Sequence, residues 1–194
     1  MEQFQRLAQV EHSSSLAGLK RPCITYIGNV GLAQNLITLI EAAKKLPDVD
    51  FKVVGGGSEL ARIERAARHV SNIEMLGRVA WDSIPAAYQR ADILWAQLAP
   101  EFAGAVPSKL YEYLATGKPV IYGGLGEAIS VISEFENVKV VEPCSVPQLV
   151  SSVRETLAAH KQLELSLNNR KIIEDKYIRE ISVERFYQWI GEWR

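Results

Sequence analysis

Lys109 and Glu112, three residues apart, put a cation and a carboxylate on one helical face within the stretch Pro-Ser-Lys-Leu-Tyr-Glu-Tyr-Leu-Ala-Thr-Gly-Lys-Pro-Val at 107–120. The first N–H groups of a helix have no internal partner and the helix dipole adds partial positive charge there. Phosphate oxygens are therefore welcome beside Pro107, Ser108 and Lys109. About one turn further in, an ionised Glu112 accepts two hydrogen bonds, which matches adjacent sugar hydroxyls such as a ribose 2′,3′-diol. A diphosphate beside a ribose describes a nucleotide. The bland alternatives are a solvent-facing Glu112 paired with Lys109 or Lys118, and a Lys109 that snorkels along the surface.

The helix that must carry these groups is bounded by its own residues. Pro107 suits the first turn, Gly117 suits a left-handed cap, and Pro119 forbids continuation. Val106, Leu110 and Leu114 recur every four residues as the buried stripe, leaving Lys109, Glu112 and Thr116 on another arc. Around this unit the chain repeats strand, turn and helix. Strands are expected at 23–27, 51–54, 73–76, 92–97, 120–122 and 138–141, and helices at 33–46, from Ser58 as cap to Val70, and at 83–90. That rhythm predicts an α/β fold: a Rossmann-like parallel sheet of about six strands with helices on both faces. Ligands bind such sheets outside the carboxyl ends of the strands, at the switch between the first and fourth.

The loops at those ends are 28–34, 55–58, 77–81, 97–109 and 123–127, and each contains glycine. Gly28, Asn29, Gly31, Gly55 and Gly56 thereby become candidates for close backbone approach to a ligand, although glycine is also the commonest residue of tight turns. Two other nucleotide readings fail on spacing. A dinucleotide fingerprint needs Gly-x-Gly-x-x-Gly after the first strand, where this chain has Gly28-x-x-Gly31, and an acid after the second, where it has three glycines. A P-loop fails because Gly117-Lys118 is followed by Pro119. His12, His69 and His160 are scattered and offer neither a metal cluster nor a triad.

The core Lys-Leu-Tyr-Glu-Tyr-Leu-Ala-x-Gly-Lys-Pro-Val resembles the nucleotide-sugar-binding, C-terminal half of glycosyltransferase family 4 (group 1). Those are retaining enzymes of the GT-B fold, and the resemblance runs from about Ile24 to about Val141. It implies a donor site for a nucleotide diphosphate sugar, with uracil favoured as the base, no metal and no further cofactor. Pro107, Ser108, Lys109 and the first-turn backbone through Leu110 would meet the diphosphate, and Glu112 the ribose. Gly77-Arg78-Val79 resembles the segment whose backbone faces the base, so Arg78 and Val79 join the candidates, with a solvated surface charge as the bland reading of Arg78. Gln34 stands where relatives often carry a lysine. Gly104 stands where they carry the first of two glutamates, which contacts the donor sugar; Glu101, three residues earlier, and the 102–105 backbone are substitutes. No catalytic residue is assigned.

With 194 residues, 47% hydrophobic content and a formal charge of −1, the chain has the material for one domain with a sizeable core. It lacks the basic character of a nucleic-acid binder. No apolar run is long enough to span a bilayer, and the start has no secretory h-region. Cys23 and Cys144 lie far apart without metal-type neighbours and read as buried reduced thiols, which fits a cytoplasmic location. Residues 1–20 read as a lead-in and 21–194 as the donor-binding domain with C-terminal helices, one from near Pro147 to about His160. The acceptor half of a two-domain transferase has no room here. A missing N-terminal domain or partner chain is expected to supply it, along with any peripheral membrane contact, and the isolated chain is expected to be inactive. Phe186, Trp189, Ile190 and Trp193 form an apolar stripe that reads as core or as a surface for self-association. The alternative functions are a non-catalytic nucleotide-binding or partner-docking module, and half of a GT-B-type nucleotide-sugar epimerase or phosphorylase.

Overall fold

The computed structural model describes residues 21–159 and 165–177. Six strands, β1 (Cys23–Ile27), β2 (Asp50–Val54), β3 (Ile73–Gly77), β4 (Ile93–Gln97), β5 (Val120–Gly123) and β6 (Val138–Val141), form one sheet in the order β3-β2-β1-β4-β5-β6. Every pairing is parallel. The sheet is Rossmann-like, and its order reverses between β1 and β4, so a crevice opens beyond their carboxyl ends. All residues of β1 and β4 are buried, which is why these segments read as continuous apolar runs rather than as alternating strands.

Alternation along the strands divides the core in two. One face carries Ile24, Tyr26, Phe51, Val53, Ile93 and Trp95 under α1 (Ile37–Lys45), α2 (Leu60–Ala67) and α6 (Val146–Ala159). The other carries Ile27, Val54, Leu94, Val120 and Tyr122 under α3 (Ile84–Arg90), α4 (Ser108–Ala115), α5 (Glu127–Ile132) and α7 (Leu167–Lys176). Helices thus cover both faces, as the pattern of the chain predicts.

Several local expectations need correction. The helix expected over 33–46 is broken: Leu32–Gln34 is a 3-10 turn, Asn35 is left-handed at φ 37°, and the α-helix begins only at Ile37. Asn tolerates that conformation better than most residues, and here its side-chain amide donates to Cys144 Sγ at 3.1 Å, so the chain makes a corner where apolar periodicity shows none. Ser58 does not cap α2; Glu59 holds the cap position with no side-chain bond, and the helix stops at Ala67 rather than Val70. A helix between β5 and β6, α5, is added. Cys23 and Cys144 are both free thiols, but only Cys23 is fully buried. The lead-in at 1–20 and the aromatic stripe from Phe186 to Trp193 lie outside the described residues. Within them, no helix is long and apolar enough to cross a membrane.

Candidate functional site

Helix α4 is locked to the sheet before it presents anything. Leu110, Tyr113 and Leu114 are fully buried. The Tyr113 hydroxyl accepts from the Ile27 N–H at 2.7 Å and donates to the Ile27 carbonyl at 2.9 Å. Burial holds this phenol well above its ordinary pKa, so it stays protonated and keeps both bonds. The N-terminus of α4 is thereby fixed at the carboxyl end of β1. Pro107 is its cap residue in an extended conformation, and Gly117 has the expected left-handed φ of 70°. No side chain caps the start, and the first turn bond runs from the Leu110 N–H to the Pro107 carbonyl, leaving the earlier amides of Ser108 and Lys109 at the end of the helix.

A cleft of about 330 Å³ opens there, lined by Tyr26, Asn29, Gln34, Gln97 and Phe102 together with Pro107, Ser108 and Lys109. The turns packed against its Tyr26 and Lys109 wall require glycine. A Cβ on Gly28 would meet the Tyr26 hydroxyl at 3.0 Å and Lys109 Cγ at 3.6 Å. Gly55 has φ 139°, and a Cβ there would fall 1.8 Å from the Gly28 carbonyl oxygen. The Gly28 N–H donates to the Val54 carbonyl and the Gly55 N–H to that of Gly77, so the ends of β1, β2 and β3 are laced together at the cleft's edge.

Lys109 and Glu112 meet each other directly. Lys109 Nζ donates to Glu112 Oε2 at 2.7 Å, and the Tyr88 hydroxyl, held protonated by burial, donates to the same oxygen at 3.1 Å. Their side chains are 32% and 13% exposed. Lys109 Nζ also lies 5.9 Å from the centre of the Trp81 ring. Glu112 does not itself line the cleft; it stands behind Lys109.

The other predicted residues divide. Gly31 is buried, and its N–H donates to Gln34 Oε1 at 3.2 Å, so Gln34, where relatives often carry a lysine, braces this turn. Arg78 is exposed and packs over Gly56, where a Cβ would come within 2.8 Å of its Nε. The Val79 side chain packs against the apolar core of the second face. Gly104 is exposed, with nothing within 4 Å of a Cβ built there, and Glu101 is exposed beside it. The Leu110 side chain is sealed in the core. Thr116, expected on the chemical arc, is buried and donates to the Tyr113 carbonyl, so it belongs to the helix end instead. Lys118, a sequence candidate for pairing with Glu112, is buried with its ammonium on the carbonyls of Gln89 and Ala91.

Sequence reasoning passed over Tyr26, Tyr88, Tyr113, Trp81 and Gln97. Gln97 is buried and ties three segments: its Nε2 donates to the carbonyls of Gln34 and Asn35 and to Thr38 Oγ1, and its Oε1 accepts from the Cys144 N–H at 2.8 Å. The available signal was a lone polar residue ending an apolar strand. Among the described residues no three His, Cys, Asp or Glu side chains converge to hold a metal ion.

A family model described as "Glycosyl transferases group 1" matches residues 9–172. WcaI of Escherichia coli strain K12, named as a colanic acid biosynthesis glycosyl transferase, is 32% identical over 173 residues. That alignment covers 81% of this chain and 42% of WcaI, so the chain spans less than half of that relative's length. Among solved structures, HepE of Anabaena in complex with UDP and glucose aligns with a TM-score of 0.72 at 17% identity, over 98% of this chain and 52% of HepE. The C-terminal domain of the group 1 family protein LpcC from Francisella tularensis aligns with a TM-score of 0.64 at 22% identity, over 91% of this chain and 93% of that domain. These two likenesses show the fold.

Proposed function

The chain belongs to the group 1 glycosyl transferases, and from that membership we propose that it is the donor-binding part of a retaining transferase that uses a UDP-sugar. One observation carries the reading: Lys109, with Glu112 behind it, and the N-terminal amides of α4 converge at the carboxyl end of β1, on the wall of the cleft. The cation and amides suit a diphosphate, and the carboxylate suits vicinal hydroxyls. The UDP in the HepE structure supports the choice of nucleotide, and the name of WcaI supports a role in building a polysaccharide or other glycoconjugate.

In this proposal the acceptor hydroxyl attacks the anomeric carbon on the face from which the diphosphate departs, and its proton passes to the departing phosphate oxygen as the sugar–phosphate bond breaks. Lys109 with the amides of Ser108 and Lys109 stabilises the charge developing on that leaving group. The acceptor wall lies in a separate half, so this chain alone binds donor without transferring it. Arg78 and the backbone at Val79 border the base, and the backbone near Gly104 borders the sugar. The chemistry uses no metal, and the protein works in the cytoplasm. A second reading, a nucleotide-binding module without turnover, is favoured by two observations: Gln34 is engaged in bracing its own loop, and Gly104 offers the sugar no side chain.

Calorimetric titration with UDP, GDP, ADP and UMP tests the donor assignment. UDP is expected to bind best and UMP much more weakly. Glu112→Ala is expected to cost about 10-fold or more in affinity, because hydrogen bonds to a charged group each contribute about 1.5–3 kcal/mol. Equal affinity for UDP and UMP would remove the diphosphate assignment. Turnover in the presence of an acceptor-binding half separates transferase from module.

A further inference from the structure

Trp81 is 53% exposed and belongs to neither apolar core, whereas Trp95 is fully buried. An indole is a large apolar surface, and leaving half of it in water beside a candidate ligand site needs a reason. It precedes α3, in a 3-10 turn over Trp81–Ser83, where the Ile84 N–H donates to the Trp81 carbonyl. The turn therefore fixes its backbone while about half of the side chain is left in water. Lys109 Nζ is 5.9 Å from the ring centre and 2.7 Å from Glu112 Oε2, so one ammonium touches both an aromatic face and a carboxylate.

We propose that Trp81 is the stacking platform for the base of the bound nucleotide, and that Lys109 occupies its face until the diphosphate draws the ammonium away. This rests on the nucleotide reading above and names the side chain that takes the base. Phosphate, ribose and base follow one another along a nucleotide. Lys109, Glu112 and Trp81 form a group of matching chemistry, all within reach of a single lysine head. The exchange is favourable in each part. The ammonium trades one carboxylate and a solvated cation–π contact for a diphosphate of higher charge. The indole trades a hydrated cation for a planar base, whose stacking is tolerant of base identity because every base has a π-face. Selectivity for one base then comes from the polar edges of the 77–79 segment, while Trp81 supplies affinity.

The test compares the full 194-residue chain with Trp81→Phe and Trp81→Ala, titrated with UDP and with inorganic pyrophosphate, following heat and tryptophan fluorescence. Trp81→Ala is expected to weaken UDP about tenfold, the scale of losing one base–aromatic stack, and Trp81→Phe to keep most of the affinity. Pyrophosphate, which has no base, should bind the Ala variant at least as well as the parent, since Lys109 is released. UDP should quench the parent's fluorescence and lose most of that quenching in the Ala variant. If the parent binds UDP and Trp81→Ala binds it equally well, the platform is refuted while the nucleotide reading stands. If the parent binds neither UDP nor pyrophosphate, the nucleotide reading fails and the platform falls with it. If Trp81→Ala weakens UDP and pyrophosphate alike, the residue acts through Lys109 and not through the base, which also overturns the proposal.

Discussion

Replacing Gly55 by alanine tests whether the glycine turns at the cleft are required by geometry or only customary. The added Cβ would lie 1.8 Å from the Gly28 carbonyl oxygen, a backbone atom, where real Cβ contacts stay beyond 3.0 Å. One strand end must therefore move by more than an ångström. Gly28 is held by the 2.9 Å bond from its N–H to the Val54 carbonyl, and Gly55 by its own 2.7 Å bond to the Gly77 carbonyl. Movement loosens one or both, at about 1 kcal/mol each. The φ of 139° adds strain on the order of 1–3 kcal/mol for any L side chain. The sum is about 2–5 kcal/mol, which for a domain of this size lowers the unfolding temperature by roughly 10 °C. Urea denaturation read by circular dichroism measures it. Gly104→Ala is the control: a Cβ there meets nothing within 4 Å, so its stability should stay within about 0.5 kcal/mol of the parent. A loss below about 1 kcal/mol for Gly55→Ala would refute the claim that the β1 and β2 ends approach too closely for a side chain.

Tyr88→Phe removes the hydroxyl that donates to Glu112 at 3.1 Å, and calorimetry should show UDP weakened by roughly 3- to 10-fold as the carboxylate loses its orienting donor. Lys109→Met should weaken UDP far more than UMP, since the ammonium is assigned to the diphosphate; an equal loss for both would contradict that assignment. Burial pushes Tyr122 from 10.0 up to about 12, and raises Tyr26, Tyr88 and Tyr113 as well. A phenol that holds its proton more tightly when folded contributes stability that is complete below pH 10 and is lost as pH climbs towards its folded value. The unfolding free energy from urea titration should therefore fall steeply above pH 10, by about 1.4 kcal/mol per pH unit for each such tyrosine, and Tyr122→Phe should make that fall shallower by one proton. Gly104→Glu places a carboxylate where the resemblance sets one, in open space; it should leave stability unchanged and tighten UDP-glucose relative to UDP, measured by the same titration.

Sequence and structure agree best where the governing physics is local. The run 107–120 declares its helix through a proline at the start, a glycine at the end and a four-residue apolar repeat, and α4 occupies Ser108–Ala115 with Gly117 left-handed. The six strands are legible because buried parallel strands read as apolar runs separated by glycine turns. What the sequence hid is non-local. Tyr88 reaches Glu112 across 24 residues, and Tyr113 reaches Ile27 across 86. Neither pairing leaves a trace in spacing along the chain, and both tyrosines pass as ordinary apolar positions. Asn35 was hidden for a different reason: the apolar repeat of α1 continues through it in register, so periodicity cannot show the corner that its left-handed backbone makes. Gly56 and Arg78 illustrate the same limit, since only the folded chain lays the arginine over the glycine.

The contact between Lys109 and Glu112 is the ion pair that the bland reading of Glu112 expects, and it is compatible with the functional one. A helical ion pair three residues apart contributes only about 0.3–0.5 kcal/mol when exposed, and this one is partly shielded rather than sealed, at 32% and 13% exposure. A pair so weak cannot by itself account for the buried Tyr88 hydroxyl aimed at the same carboxylate oxygen, which steadies Glu112 whether or not the lysine is present. The asymmetry matters. Glu112 is held from behind by a protonated phenol in the core, while among the described residues the Lys109 ammonium meets Glu112 and a half-exposed indole. Under the proposed donor assignment, an anion at the amides of α4 would draw away the lysine rather than the glutamate, and ribose hydroxyls would replace it on a carboxylate already in position. On that proposal the ion pair is the resting state of the site: it keeps each charge neutralised in place until a diphosphate, carrying more charge than one carboxylate, displaces it.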